Sequence, residues 1–156
     1  MSSAPITAAV SHSSWLIAAR AGRRVGWLAL SLASLAFGGL EVANHGPWAL
    51  ALLITFVIAP DLTFLVGMGQ AKEMQHGQLP PAAVPWYNAA HRAWVPALLL
   101  VAYAVSPLTW APLFAAGLGW LAHIAIDRAV GYGLRSNDGF QRHGVIRGAS
   151  DGHSGQ

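Results

Sequence analysis

The sequence contains no cysteine, and only 10% of its 156 residues are charged. The missing thiols exclude disulfides, thiolate metal ligands and iron–sulfur clusters. Hydrophobic residues make up 54% of the chain, and seven residues are tryptophan, which favours membrane interfaces. So few charges with so many apolar residues exclude an ordinary soluble domain. The composition indicates an integral membrane protein.

Four apolar stretches each approach the ~20 residues that a helix needs to cross a bilayer. Short turns with Gly or Pro, at 44–47 and 106–109, separate the first stretch from the second and the third from the fourth. A longer segment with three prolines, 72–85, joins the two pairs. The sequence therefore predicts an all-α integral membrane bundle of four transmembrane helices in two antiparallel hairpins. The predicted spans are Val25–Ala43, Trp48–Met68, Trp86–Val105 and Trp110–Asp127.

The predicted domain organisation is a single transmembrane domain over residues 21–135. The flanking segments, 1–20 and 136–156, are rich in Ser, Ala and Gly and have few large apolar side chains to pack. Such composition is typical of mobile chain ends. We therefore expect flexible tails at both termini.

The nine Lys and Arg residues all fall on one side of the predicted bundle, and neither short turn contains one. By the positive-inside rule, both termini and the long central loop are expected in the cytoplasm. The predicted location is the bacterial inner membrane, crossed several times. Anionic lipid head groups account for the basic pI near 10.0, so no nucleic-acid partner is expected.

Ionisable side chains within the predicted spans indicate a functional site, because unpaired charge inside a membrane is costly. Asp61, His91 and His123 each lie 13 to 15 residues from the non-cytoplasmic end of their span. At 1.5 Å per residue, these are depths of roughly 20 to 23 Å. Asp127 follows His123 by four residues and shares its helix face. The sequence predicts that these side chains meet near the cytoplasmic side.

Two imidazoles and two carboxylates suit a divalent Zn, Fe or Mn ion, with Mg as the alternative that hard oxygen ligands also admit. A bound ion would acidify water for attack on a phosphoryl or acyl centre, while an arginine holds an anionic substrate group. The predicted metal ligands are Asp61, His91, His123 and Asp127, and the predicted catalytic residues are Asp61, Asp127 and Arg128. Supporting or substrate-binding roles are predicted for Asn88, Arg92 and Tyr132.

Three motifs together resemble a family of small bacterial membrane proteins known only as a domain of unknown function. The resemblance runs from about Arg24 to Gly144 and implies four spans. The motifs are Ala59-Pro60-Asp61-Leu62, Tyr87-Asn88-x-x-His91 and His123-Ile-x-x-Asp127-Arg128-x-x-Gly131-Tyr132-Gly133-Leu134.

A looser resemblance links the chain to the membrane-bound metal-dependent hydrolase family. It is carried by Pro60-Asp61, His91-Arg92, His123-x-x-x-Asp127 and Gly133. This resemblance implies metal-assisted hydrolysis of a lipid-like phosphoester. The predicted function is therefore a membrane-embedded, metal-dependent hydrolase-like activity on a lipid-like ester or phosphoester.

Other functions stay open at the level of sequence. The same residues could join helices by polar contacts, for example through a hydrogen bond from His123 to Asp61 or Asp127. They could also form part of a proton or ion pathway in a small transporter, or His91 and His123 could ligate a haem. The partners expected are the lipid bilayer and a lipid-like substrate, and the sequence leaves room for an oligomer.

Overall fold

The computed structural model describes residues 6–142, with side chains from Trp15 onward except at Ala71. Within these residues the fold is all-α, as predicted. The five α-helices are α1 (Ile6–His45), α2 (Pro47–Ile58), α3 (Val84–Ala90), α4 (Trp94–Val105) and α5 (Ala111–Val130). Two short 3-10 segments, Ala59–Leu65 and Met68–Glu73, follow α2.

Helix α1 is longer than the predicted first span, because it begins at Ile6 rather than near Val25. Residues 6–20, which the sequence assigned to a tail, are therefore helical. The helix ends where Gly46 takes a positive φ of 75°, and Pro47 then begins α2. Glycine tolerates that angle and proline suits the first turn of a helix, so the predicted turn between the first two helices is present.

Helix α2 ends at Ile58, and the chain tightens into 3-10 geometry at Pro60. Proline has no backbone N–H, so it cannot donate the bond that would continue the α-helix. Within this segment, the Thr63 hydroxyl donates a hydrogen bond to the Pro60 carbonyl at 2.7 Å. Together, Pro47–Leu65 form a segment of 19 residues that is long and apolar enough to span a membrane.

The predicted third span is not one helix. It divides into α3 and α4, with a break at residues 91–93. Pro96 lies in the first turn of α4, where its ring would clash with the Arg92 carbonyl of a continuous helix. Helix α4 has 12 residues, about 18 Å, which is shorter than the hydrocarbon core.

Three helical segments in the described residues are long and apolar enough to span a membrane: Trp15–His45, Pro47–Leu65 and Ala111–Val130. The membrane character of the chain is thus supported. Four spans in two hairpins are not confirmed, because the break before α4 shortens the third apolar helix.

Helix α5 is the central element and packs against α1, α2 and α4. Its buried face is rich in Ala and Gly, which lets neighbouring backbones approach closely. Gly119 lies directly against the backbone carbonyl of Leu53 in α2, where a Cβ atom would overlap it. The buried Ser31 hydroxyl of α1 donates to the Ala122 carbonyl of α5 at 3.0 Å. The helix ends at Gly131, whose φ of 104° caps it in the left-handed conformation.

The chain after α5 folds back instead of leaving the bundle. An isolated antiparallel bridge pairs Arg135 with Gln141, and the Leu79 N–H donates to the Gly139 carbonyl at 3.0 Å. These contacts hold residues 134–142 against the central loop and α3. The rest of the predicted C-terminal tail, from His143 onward, lies outside the described residues.

Candidate metal centre

Four ionisable side chains from three parts of the chain converge at one end of α5. Asp61 comes from the first 3-10 segment, His91 from the end of α3, and His123 and Asp127 from successive turns of α5. The Nε2 atoms of His91 and His123 lie 3.2 Å apart. The predicted proximity of these His and Asp side chains is therefore confirmed, whereas their depth in a membrane stays a prediction.

Each carboxylate lies against both imidazoles. The Oδ1 atom of Asp61 is 3.6 Å from the Nε2 atom of His91 and 3.6 Å from that of His123. The Oδ2 atom of Asp127 is 3.5 Å and 3.7 Å from the same two nitrogens. Each of the four side chains therefore has at least two close neighbours within the site.

The breaks in helical structure place two of the four side chains. His91 is the C-cap of α3, where the chain leaves the helix before α4 begins. Asp61 follows Pro60 in the tightened 3-10 turn, so its direction differs from that of an α-helical residue. In contrast, His123 and Asp127 share a face of α5 because they are one turn apart.

The tautomer of His91 follows from its backbone contact. Its Nδ1 atom lies 2.9 Å from the Tyr87 carbonyl, which can only accept a hydrogen bond. Nδ1 must therefore carry the proton in the neutral ring, and Nε2 is left with its lone pair facing the other three side chains. Burial lowers the pKa of His91, which keeps the ring neutral at pH 7.

The spacing of the facing atoms matches a small divalent ion. Adjacent ligand atoms around a tetrahedral ion with 2.0–2.1 Å bonds are separated by about 3.3–3.4 Å. The three facing atoms of Asp61, His91 and His123 have separations of 3.2, 3.6 and 3.6 Å, close to that value. These three residues could hold a metal ion.

The site is closed on the histidine side and open on the aspartate side. Both imidazoles are buried, whereas the Asp61 side chain is 51% exposed and the Asp127 side chain 21%. An ion held by the histidines would therefore be reached past Asp61.

Arg128, predicted as a catalytic residue, and Asn88, predicted in a supporting role, both bind backbone groups. Arg128 donates from one guanidinium nitrogen to the His91 carbonyl at 3.0 Å and from the other to the Tyr132 carbonyl at 3.1 Å. The Asn88 side chain pairs with the backbone N–H and carbonyl of Arg135 at 2.7 and 2.9 Å. Arg92 and Tyr132 are both exposed.

Three residues that sequence reasoning did not select also support the centre. The Tyr87 ring stacks on the His91 ring, with centroids 3.8 Å apart. Trp120 donates to the Ala90 carbonyl at 2.7 Å and holds the end of α3 on α5. Arg135 is buried after α5, and its guanidinium carbon lies 5.4 Å from the centroid of the same Tyr87 ring. The Tyr87-Asn88-x-x-His91 spacing signalled Tyr87, but nothing local distinguished Arg135 from the other basic residues near the chain end.

The family profile for a domain of unknown function (DUF4260) matches residues 26–145. The chain belongs to this family. The matched region contains all four residues of the centre and runs from the second half of α1 to the C-terminal segment. Comparisons with curated proteins and with solved structures gave no match.

Family membership confirms the first resemblance seen in the sequence. For DUF4260 the match carries no assigned chemistry, so the function of this chain has to be argued from the geometry of its own residues.

Proposed function

We propose that this DUF4260 protein is a membrane-embedded, metal-dependent hydrolase that acts on a lipid-like ester or phosphoester. The observation that carries the proposal is the pair of buried imidazole Nε2 atoms with a carboxylate oxygen against both. The looser resemblance to membrane-bound metal-dependent hydrolases, through the same His and Asp residues, points in the same direction.

The donor set restricts the ion. Two imidazole nitrogens with carboxylate oxygens and no sulfur favour Zn, Fe or Mn, and oxygen-rich coordination leaves Mg as the alternative. His91, His123 and Asp61 would hold the ion, and a coordination position would remain for water beside Asp127. A divalent ion in this position would acidify water and polarise an ester or phosphoryl oxygen.

The chain's own residues would divide the remaining work. Asp127, as the less exposed carboxylate, is placed to take a proton from water beside the imidazoles. Arg92 is exposed next to His91 and would pair with an anionic substrate group. Arg128 would act more indirectly, because it already binds the His91 carbonyl.

Substrate would reach the centre from the inner leaflet or the cytoplasm. Three of the nine basic residues precede the predicted first span, and the other six lie in or after the central loop. This distribution supports a multi-pass protein of the bacterial inner membrane with both termini in the cytoplasm. Reporter fusions after Asn44 should read as non-cytoplasmic, and a cytoplasmic signal there would contradict this orientation.

A structural role for the cluster is the competing interpretation. Since Nε2 of His91 is an acceptor, a protonated Nε2 of His123 could donate to it across the 3.2 Å separation. That hydrogen bond would join α3 to α5 without any ion. The proposed activity requires the ion, so the two interpretations give opposite results when metal is removed.

The experiment compares wild type, Asp127→Asn, Arg92→Gln and Arg128→Gln on a panel of ester and phosphoester lipids, with and without a chelator. We expect Asp127→Asn and chelation each to abolish turnover, because both remove the means of activating water. Arg92→Gln should chiefly raise KM for anionic lipids, and Arg128→Gln should lower activity with any head group. Turnover that survives both Asp127→Asn and chelation would reject the mechanism, and an inactive, metal-free wild type would favour the structural role.

A further inference from the structure

The buried Arg135 links the C-terminal segment to the central loop. One of its guanidinium nitrogens donates to the Gly77 carbonyl at 2.7 Å and to the Gly139 carbonyl at 3.3 Å. Its Nε has no hydrogen-bond partner within the described residues. A buried guanidinium with an unsatisfied donor is costly, so its position requires compensation from another contact.

The face of Tyr87 provides that contact. The guanidinium carbon of Arg135 lies 5.4 Å from the Tyr87 ring centroid, within the range of a cation–π interaction. The Tyr87 hydroxyl lies 3.4 Å from the Gly133 carbonyl, to which it donates. Asn88 binds the backbone of Arg135 from the next residue of α3. Tyr87 is thereby held at its ring, its hydroxyl and its neighbouring residue.

Tyr87 in turn contacts His91 in two ways. The two rings stack at an interplanar angle of 19°, and the Tyr87 carbonyl accepts the Nδ1–H of His91. The first contact restricts the plane of the imidazole, and the second selects the tautomer that leaves Nε2 able to ligate. Partners of this kind commonly determine the affinity of a metal site.

We propose that Arg135 is a positioning residue for the metal centre, acting through the Tyr87 ring to hold His91 in its ligating orientation and tautomer. The inference rests on the proposed function, because the centre is taken to bind a divalent ion. It assigns a role to a residue that lies twelve positions after His123 and acts through Tyr87. The C-terminal segment is thus part of the site.

The test uses full-length protein in detergent and measures Zn²⁺ affinity for wild type, Arg135→Lys, Tyr87→Leu and the double variant. Arg135→Lys keeps the charge but loses the planar guanidinium that lies over the Tyr87 ring. The affinity for Zn²⁺ should therefore fall about 10-fold to 100-fold. Because both residues act through one contact, the double variant should lose little beyond the larger single loss. Additive losses would contradict a shared path.

Gln78→Ala is the matched control. Gln78 donates to the Asp138 carbonyl at 2.8 Å and joins the same two segments, but it does not touch Tyr87. Zn²⁺ affinity should remain within twofold of wild type in this variant. An equal loss in Gln78→Ala and Arg135→Lys would show that only general docking of the segment matters, and the inference would fail.

Imidazole ¹⁵N NMR of metal-free protein supplies a readout that does not depend on metal binding. In wild type, His91 should show a protonated Nδ1 and an unprotonated Nε2, and Arg135→Lys should increase the other tautomer. Unchanged shifts in a folded Arg135→Lys protein would overturn the positioning role. If wild type shows the expected tautomer but binds no Zn²⁺, the proposed metalloenzyme fails while the nitrogen shifts still test Arg135. Should Arg135→Lys not fold, Tyr87→Leu gives the same two measurements.

Discussion

Helices α1 and α5 each have an acid and a histidine four residues apart, but in very different settings. On α1, the Nδ1 atom of His45 lies 3.1 Å from a carboxylate oxygen of Glu41, and the His45 side chain is 46% exposed. On α5, His123 and Asp127 meet two further ionisable groups that arrive from α3 and the first 3-10 segment. The same spacing therefore gives a local surface pair in one helix and a convergent centre in the other.

Burial of the helices explains the difference. Eleven of the 20 residues of α5 are buried, whereas the described part of α1 buries one stripe of small residues, Ser31, Ser34 and Gly38. Side chains from other elements can reach the acid–histidine pair only on a helix that those elements surround, as they do α5. A candidate site thus depends on convergence and exclusion of solvent more than on the spacing of its residues.

The largest expected effect separates the two acid–histidine pairs. His123→Ala should abolish binding of the roughly one divalent ion per chain that we expect, because it removes a ligand. His45→Ala, the matched change on α1, should leave the metal content unchanged. Elemental analysis and Zn²⁺ titration of detergent-purified protein give both results. Equal metal content in wild type and His123→Ala would place the ion elsewhere.

A second comparison uses one glycine from each helix. In Gly119→Ala the new methyl group would meet the Leu53 carbonyl, and backbone cannot yield easily. We expect a loss of about 1–3 kcal/mol in the free energy of unfolding, as for overpacked cores. Gly39→Ala places its methyl group where nothing lies within 4 Å, so stability should hold or rise slightly. Denaturation of both variants in the same detergent measures the difference, and equal stabilities would disprove the close approach of α2 and α5.

The smallest expected effect is a pH dependence of the metal-free protein. Since burial lowers the pKa of His91 from its ordinary value of 6.5, the unfolded chain binds a proton more readily than the folded one. The contribution of His91 to the free energy of unfolding is fully present above pH 6.5. It is lost as the pH falls toward the lowered pKa of the folded state. Thermal unfolding midpoints should fall modestly between pH 7.5 and pH 5.5.

His91→Gln supplies the control for this pH dependence. The variant should show a weaker fall of the midpoint over the same range, whereas His45→Gln should behave as wild type. A fall that is identical in wild type and His91→Gln would assign the titration to other groups.

The features that were predictable from the sequence are those that depend on helical spacing and on the free-energy cost of burying charge in a membrane. Because a charged group inside a membrane is energetically costly, Asp61, His91, His123 and Asp127 stood out in the sequence. Residue counts along the predicted spans indicated that they lie close together. Sequence reasoning failed for the third span, because the effect of Pro96 depends on whether the neighbouring fold tolerates a kink or a break. It also treated residues 136–142 as tail, since their partners lie some 60 residues away at the central loop.

By itself, the sequence determined the membrane-like composition of the chain, its α-helical class and the His and Asp residues of the candidate centre, because composition and helical spacing are local properties. Only the tertiary structure decided that Asp61 faces both imidazoles and that Arg135 is buried over Tyr87. Those relations join residues distant in the chain, and they depend on where helices break and how closely α5 packs. No local pattern encodes such distances, since they result from the packing of all the elements together.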